Sequence, residues 1–165
     1  MVLATIGYEG LNIEEFFEIL KTNGIETLVD IRELPLSRKP GFSKKSLSER
    51  AKAHQIKYLH LSSLGCPKEI RHDYRKDNDW IKYSKRFLAY LRTQSEEIRK
   101  LIGLVRLEKC CLLCFEADYH YCHRRYVADE VLFNCDYELD INHLGMVKTE
   151  PVAWLRPSVD ISSLR

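Results

Sequence analysis

The sequence predicts an α/β fold: a three-layer, doubly wound, mostly parallel five-stranded sheet with helices on both faces. Three observations predict it. Short apolar runs alternate with amphipathic helical stretches along the whole chain, an order that argues for a parallel sheet covered by helices. The run KCCLLCFEA (109–117) is apolar on both of its alternating faces, as a central parallel strand must be. Right-handed crossovers between such strands then distribute the helices over both sides of the sheet.

The elements follow in order. VLATIG (2–7) is a buried strand ending at glycine. Asn12 and Glu15 form a capping box for a helix whose Ile13, Phe16, Phe17 and Leu20 share one face, and Asn23-Gly24 stops it. IETLVDI (25–31) is the second strand. RELPLSRKPGF is a long loop leading to a helix capped by Ser43 or Ser46, with a weak apolar face. IKYLHLS (56–62) is the third strand, and SLGCPKEIRHDYRKDND reads as a second long loop. Trp80, Tyr83, Phe87, Leu88 and Leu91 mark a strongly amphipathic helix. Thr93 with Glu96 reads as a second capping box, opening a helix that carries Ile98, Leu101, Ile102 and Val105. After strand 109–117, a helix over 119–133 packs Val127, Ala128, Val131 and Leu132, and YELDINHL (137–144) is the fifth strand.

The chain of 165 residues reads as a single domain over residues 1–145, followed by an extended arm at 146–165 that wraps the domain or reaches a second copy in a homodimer. Its 45% apolar and 30% charged residues are ordinary for a globular protein, and a net charge of +2 does not by itself demand a polyanionic partner. The distribution says more. Arg32, Arg38, Lys39, Lys44, Lys45, Lys68, Arg71, Arg75 and Lys76 fall in the two long connecting segments, where ligands usually bind. The amino terminus shows no signal-peptide pattern, and no run approaches the ~20 apolar residues a membrane span needs. Six cysteines without such a leader point to reduced thiols and a cytoplasmic location. Cys110, Cys111 and Cys114 read as buried core thiols.

Ligands of such sheets bind beyond the carboxyl ends of the strands. Those ends are polar in this chain: Tyr8 and Glu9 after the first strand, Asp30, Arg32, Ser37, Arg38 and Ser43 after the second, His60, Gly65 and Cys66 after the third, and Glu116, Cys122, His123 and Arg124 after the fourth. Asp30 and Arg32 point to the same face of a strand, where they either pair with each other or meet a ligand. Glu9 either reacts or holds nearby backbone amides. His60 fits a satisfied core histidine as well as a ligand contact. Ser37, Arg38, Ser43 and Lys44 lead up to a helix amino terminus, a setting that favours phosphate, although GxxxxGK[ST] and GxGxxG are both absent. Asp118 as a helix cap would place Cys122 at the positive end of that helix, beside His123, Arg124 and Arg125, and so lower its thiol pKa. The C-x5-R spacing of cysteine phosphatases is missing, because residue 128 is alanine. Cys114, Glu116, His120, Cys122 and His123 could donate to a metal, but adjacent Cys122 and His123 diverge on a helix and no pair has regular zinc spacing. No metal or cofactor is expected.

As a set, TIGYEG, LVDIRELPLSRKPGFSK, IKYLHLSSLG, CFEAD and CHRRYVAD resemble the bacterial and archaeal family catalogued as domain of unknown function 488, over about residues 4–144. The resemblance implies a small cytoplasmic α/β domain. It maps the family's characteristic positions onto Tyr8, Glu9, Asp30, Arg32, Ser37, Arg38, Phe42, Ser43, His60, Cys114, Glu116, Cys122, His123 and Arg124, among others. Ser62 and Tyr119 stand where the family often has proline. The family supplies no established reaction.

The function expected from these residues is an enzyme acting on a phosphate-bearing substrate, a nucleotide or a nucleic-acid end. Arg32, Arg38, Lys44 and Arg124 would bind anionic oxygens, with Ser37, Ser43 and His60 beside them. Glu116, Asp30 or Glu9 would do acid–base or nucleophilic work, and Tyr8 and Phe42 would stack on a base. Two alternatives stand beside it: thiol chemistry at Cys122 with His123, and a non-enzymatic module that binds nucleic acid through its basic loops.

Overall fold

The computed structural model describes residues 1–136 and 138–145. The expected arm at 146–165 lies outside the described residues. Five strands, β1 (Val2–Gly7), β2 (Thr27–Asp30), β3 (Lys57–His60), β4 (Cys110–Cys114) and β5 (Asp140–Leu144), form one sheet in the order β3-β2-β4-β1-β5. Every pairing is parallel. The helices are α1 (Ile13–Thr22), α2 (Lys44–Ala53), α3 (Lys68–Asp77), α4 (Trp80–Leu91), α5 (Ser95–Leu107) and α6 (His123–Asn134).

The alternation of β4 shows why the molecule has three layers. Cys111 and Leu113 join the core beneath α1 and α2, with Phe16, Phe17, Leu20, Leu47 and Ala51. Cys110 and Leu112 join the opposite core, with Phe87, Leu91, Leu101, Val127 and Val131 from α4, α5 and α6. A strand buried on both sides cannot carry polar residues at either face, so its chemistry waits until it ends. The chain leaves β1 and β2 toward the α1/α2 face and leaves β4, which lies between them, toward the other. This divergence opens a crevice at the carboxyl end of β4, where parallel sheets hold their ligands.

Local chemistry sets most boundaries. Asn12 and Glu15 form the expected capping box on α1, with reciprocal bonds of 2.8 Å. Other expectations need correction. The stretch after β3 is not only loop. It contains α3, whose single buried residue is Ile70, so it has no apolar stripe to reveal it. The proposed Thr93–Glu96 box does not form. The chain turns through a 3-10 segment at Arg92–Gln94, and the Thr93 hydroxyl donates back to the Tyr90 carbonyl. Ser43 occupies the N-cap position of α2, but its side chain does not cap. The helix expected over 119–133 starts at His123. A 3-10 turn, Tyr119–Tyr121, precedes it, and Asp118 caps that turn instead.

Candidate functional site

At the tip of β2, Asp30 is fully buried and Arg32 is 6% exposed. They form a bidentate pair, Nε to Oδ1 at 2.8 Å and Nη2 to Oδ2 at 2.5 Å. The Tyr58 hydroxyl donates to Asp30 at 2.6 Å, and Arg32 donates further to the Phe42 carbonyl and the Tyr8 hydroxyl. Burial is the largest single influence and opposes the charge of Arg32, but the bond to Asp30, the Asp30 charge and Tyr8 together outweigh it and raise the pKa. Burial first, and then the bond to Asp30, push the Tyr58 phenol up. Phe42 is fully buried, with Tyr8 stacked on it at 4.4 Å between ring centroids. The network ties Asp30, Arg32, Tyr58 and the Phe42 carbonyl to one another. Phe42, fully buried beneath Tyr8, therefore offers no face to a base as the sequence suggested, whereas Arg32, although paired with Asp30, is among the residues that line the cleft over the end of β4.

Arg124 is similar. It is fully buried at the start of α6. Its guanidinium donates to the carbonyls of Glu116 and Ala117 and to the Thr5 hydroxyl. It clamps the β4–α6 loop and leaves no face to a ligand, contrary to the anion-binding role expected from sequence. Glu9 is exposed at the end of β1, and its carboxylate accepts from the Ala117 amide at 2.9 Å, tying the same loop from the other side.

The clamped loop presents a cluster. The donor atoms of Cys114, Glu116, Cys122 and His123 all lie within 4.8 Å of one another. Both thiols donate to Glu116 Oε2, Cys114 at 3.0 Å and Cys122 at 3.1 Å. His123 Nδ1 lies 3.6 Å from Cys114 Sγ, and Nε2 donates to the Ile31 carbonyl at 3.1 Å. The adjacency of Cys122 and His123 does not separate them, because Cys122 is the N-cap of α6 with extended backbone (φ −132, ψ 140) and only His123 is helical. Burial works to raise the Glu116 pKa, but the neighbouring His123 and the two thiol donors outweigh it and hold the carboxyl below its usual range. Burial pushes both thiols up, Cys122 strongly. The lowered Cys122 pKa expected from sequence is therefore not found: desolvation exceeds the help of the helix terminus.

Gly7 makes the cluster possible. A Cβ there would lie 1.7 Å from the Glu116 carbonyl oxygen. Gly65 plays the same part at the β2 side, where a Cβ would come within 2.3 Å of the Glu33 nitrogen. Without both glycines, the loops after β1, β2 and β4 could not close on one another.

Above the cluster is a cleft of about 530 Å³. Cys114, Glu116 and His123 reach its floor, and its walls include Tyr8, Tyr74, Trp80, Tyr83, Phe115 and Tyr121. Arg38, Arg71 and Arg75 stand along it with Ser37. Arg71 is paired with Glu33, whereas Arg38 and Arg75 are exposed and have no partner among the described residues. Of the remaining expected residues, Ser43 exchanges hydrogen bonds with the Ser37 backbone and braces the loop, each at 3.1 Å. Lys44 and His60 meet each other at 3.3 Å, and neither lines the cleft. The amide of Lys44, at the start of α2, already donates to the Pro35 carbonyl. Sequence reasoning missed Trp80 and Tyr83 as cleft residues, because their helical spacing is that of a core stripe. It gave Cys114 as a buried core thiol and as one donor of a possible metal set, not as a cleft residue. The signal that could have found the cysteine is its position two residues before Glu116, which puts both on the same side of an extended chain.

A doubly wound parallel sheet with a cleft over the end of its central strand defines the chain as an α/β domain. The chain belongs to the family described as Domain of unknown function DUF488, whose model matches residues 12–131, well over half of its 165 residues. Comparison with curated proteins and with solved structures finds no match. Among the described residues, no helix is long and apolar enough to cross a membrane.

Proposed function

We propose that the protein is a small cytoplasmic enzyme that acts on a phosphate-bearing substrate with a planar base, a nucleotide or a nucleic-acid end, in the cleft above β4. One observation carries this reading: two arginines without a partner among the described residues, Arg38 and Arg75, stand beside aromatic walls that lead down to a carboxylate held below its usual pKa. Guanidinium groups bind phosphate oxygens in bidentate fashion, and aromatic rings accept a base of any sequence. Trp80 and Tyr121, with rings 5.5 Å apart, and the half-exposed Phe115 supply those surfaces. Glu116 is the reacting carboxylate, because it alone among Glu9, Asp30 and Glu116 lines the cleft. Asp30 and Arg32 serve as the buried frame behind it. The six free cysteines, all buried, fit a reducing compartment.

The test is nucleotide binding and turnover in paired variants. Glu116→Gln should retain binding and lose turnover. The double variant Arg38→Gln/Arg75→Gln should lose binding. Unchanged turnover in the Glu116 variant would remove the assignment. Binding that falls steeply with salt and is never accompanied by turnover would favour the nucleic-acid module instead.

A further inference from the structure

The cluster beneath the cleft has a composition that general acid–base work does not require. A carboxylate doing such work needs one positioned partner, yet Glu116 is met by two thiols and an imidazole. Cys114 is 4% exposed, Cys122 1% and His123 5%. Thiols are weak donors, so they compensate a partly buried carboxylate poorly. We propose that Cys114, Cys122, His123 and Glu116 form a binding site for one zinc-class divalent transition metal, with its exchangeable side facing the cleft.

Geometry supports the donor set. Bonds of ~2.3 Å to sulfur and ~2.0 Å to nitrogen at a tetrahedral angle place two such ligand atoms ~3.6 Å apart. Cys114 Sγ and His123 Nδ1 are 3.6 Å apart. All four donor atoms fit within 4.8 Å, so one ion can reach them with side-chain adjustments only. The imidazole is oriented as a ligand should be: Nε2–H donates to the Ile31 carbonyl at 3.1 Å, which leaves the Nδ1 lone pair directed at the thiols. The loop carrying Glu116 is anchored independently of any ion, by Arg124 on the Glu116 and Ala117 carbonyls and by Glu9 on the Ala117 amide. The site is therefore formed before the metal arrives.

The chemistry of the donors selects the class of ion. Two sulfurs and one imidazole suit zinc and its softer neighbours and disfavour magnesium and calcium, which take oxygen. Binding exchanges protons for metal: each thiol releases one proton, two sulfur–metal bonds form, and the resulting dithiolate neutralises the dication. Cys122 does not line the cleft, whereas Cys114, Glu116 and His123 do. Glu116, the hardest and most exposed of the four, is the ligand that would yield its position to water or to a substrate oxygen. Three protein ligands with one exchangeable position describe a catalytic rather than a structural metal site.

The experiment titrates zinc into the reduced full-length chain against a chromophoric chelator and follows cobalt(II) binding by absorption. The expected result is one ion per chain, with thiolate-to-cobalt charge transfer and the intense visible bands of tetrahedral coordination. Cys114→Ser and Cys122→Ser should each weaken zinc binding by at least ~100-fold, and Glu116→Gln by about tenfold. Cys135→Ser, at the end of α6, should change nothing. Arg38→Gln/Arg75→Gln should leave zinc affinity intact, so a failure of the metal site and a failure of the nucleotide reading register separately. If a cysteine variant does not fold, the cobalt spectrum of the unaltered chain still decides. Absence of stoichiometric zinc in the reduced protein, a cobalt spectrum without thiolate bands, or undiminished affinity in a folded cysteine variant would each overturn the proposal.

Discussion

The tips of β2 and β4 look alike in sequence and differ in what they leave open. Each ends a buried strand and carries an acidic residue beside a cationic or basic partner. At β2, Asp30 and Arg32 bind each other, the Tyr58 hydroxyl and the Phe42 carbonyl. At β4, Glu116 and His123 converge with two thiols and still reach a cleft. A buried ion pair that also binds a phenol and a backbone carbonyl holds loops in place. A group whose lone pairs face a cavity is available for chemistry. The same residue types thus divide into frame and reactive floor, and the acid separates them: Asp30 is fully buried away from the cleft, whereas Glu116 lines it.

The largest expected effect tests the frame. Asp30→Asn leaves the Arg32 charge buried without its counter-ion, and loss of one partner of a buried pair costs ~3–5 kcal/mol. Chemical denaturation should show that loss, while Glu116→Gln should keep close to the parent midpoint. Similar midpoints in the two variants would erase the distinction. Next in size is Gly7→Ala. Its Cβ would meet the Glu116 carbonyl at 1.7 Å, so the β4–α6 loop must move, at a cost of ~1–3 kcal/mol or more. Loss of turnover should accompany the lower stability. Removing one cleft arginine is smaller and affects binding alone. A hydrogen bond to a charged group contributes ~1.5–3 kcal/mol, so Arg75→Gln should weaken nucleotide binding about tenfold or more. Lys44→Gln, outside the cleft, should do little, and calorimetry distinguishes the two.

The smallest effect is a pH dependence at the far side of the β4–α6 loop. His143 stacks on Tyr119 at 3.5 Å and shares a hydrogen bond with Thr5. Burial, followed by the nearby Arg124, lowers its pKa from 6.5 to about 4. Between these values the unfolded chain binds a proton that the folded chain refuses, so acid favours unfolding in that window. Above 6.5 the histidine is neutral in both states and makes no pH-dependent contribution. Because the ring is only half buried, solvent screening limits the effect to about 1 kcal/mol. Thermal melts from pH 7 to pH 4 should therefore fall more steeply for the parent than for His143→Gln. Parallel slopes would place the histidine in water.

Much of the fold was legible because its signals are local. The two-sided apolar run of β4, the Asn12–Glu15 box and the stripe of α4 each follow from residue spacing. Helix α3 was not legible, since it buries only Ile70 and owes its place to contacts with α4. At the site, Glu116, Cys122 and His123 were legible as neighbours along the chain. Their convergence depends on one residue, Cys122, staying extended at a helix start. Sequence has no view of backbone carbonyls as partners, so Arg124 resembled a ligand contact when it binds the chain itself. Trp80 illustrates the reverse case. A residue at core spacing became a cleft wall because α3 and the loops after β2 and β4 stop short of covering it.

The most direct test of the account is a nucleotide titration followed by nuclear magnetic resonance on the labelled protein. The account predicts that the Trp80 indole N–H, the Arg38 and Arg75 side chains and the Glu116 carboxyl respond together with one dissociation constant, while the Asp30–Arg32 pair stays unmoved. Responses centred on Lys44 and His60, or no response at all, would contradict it.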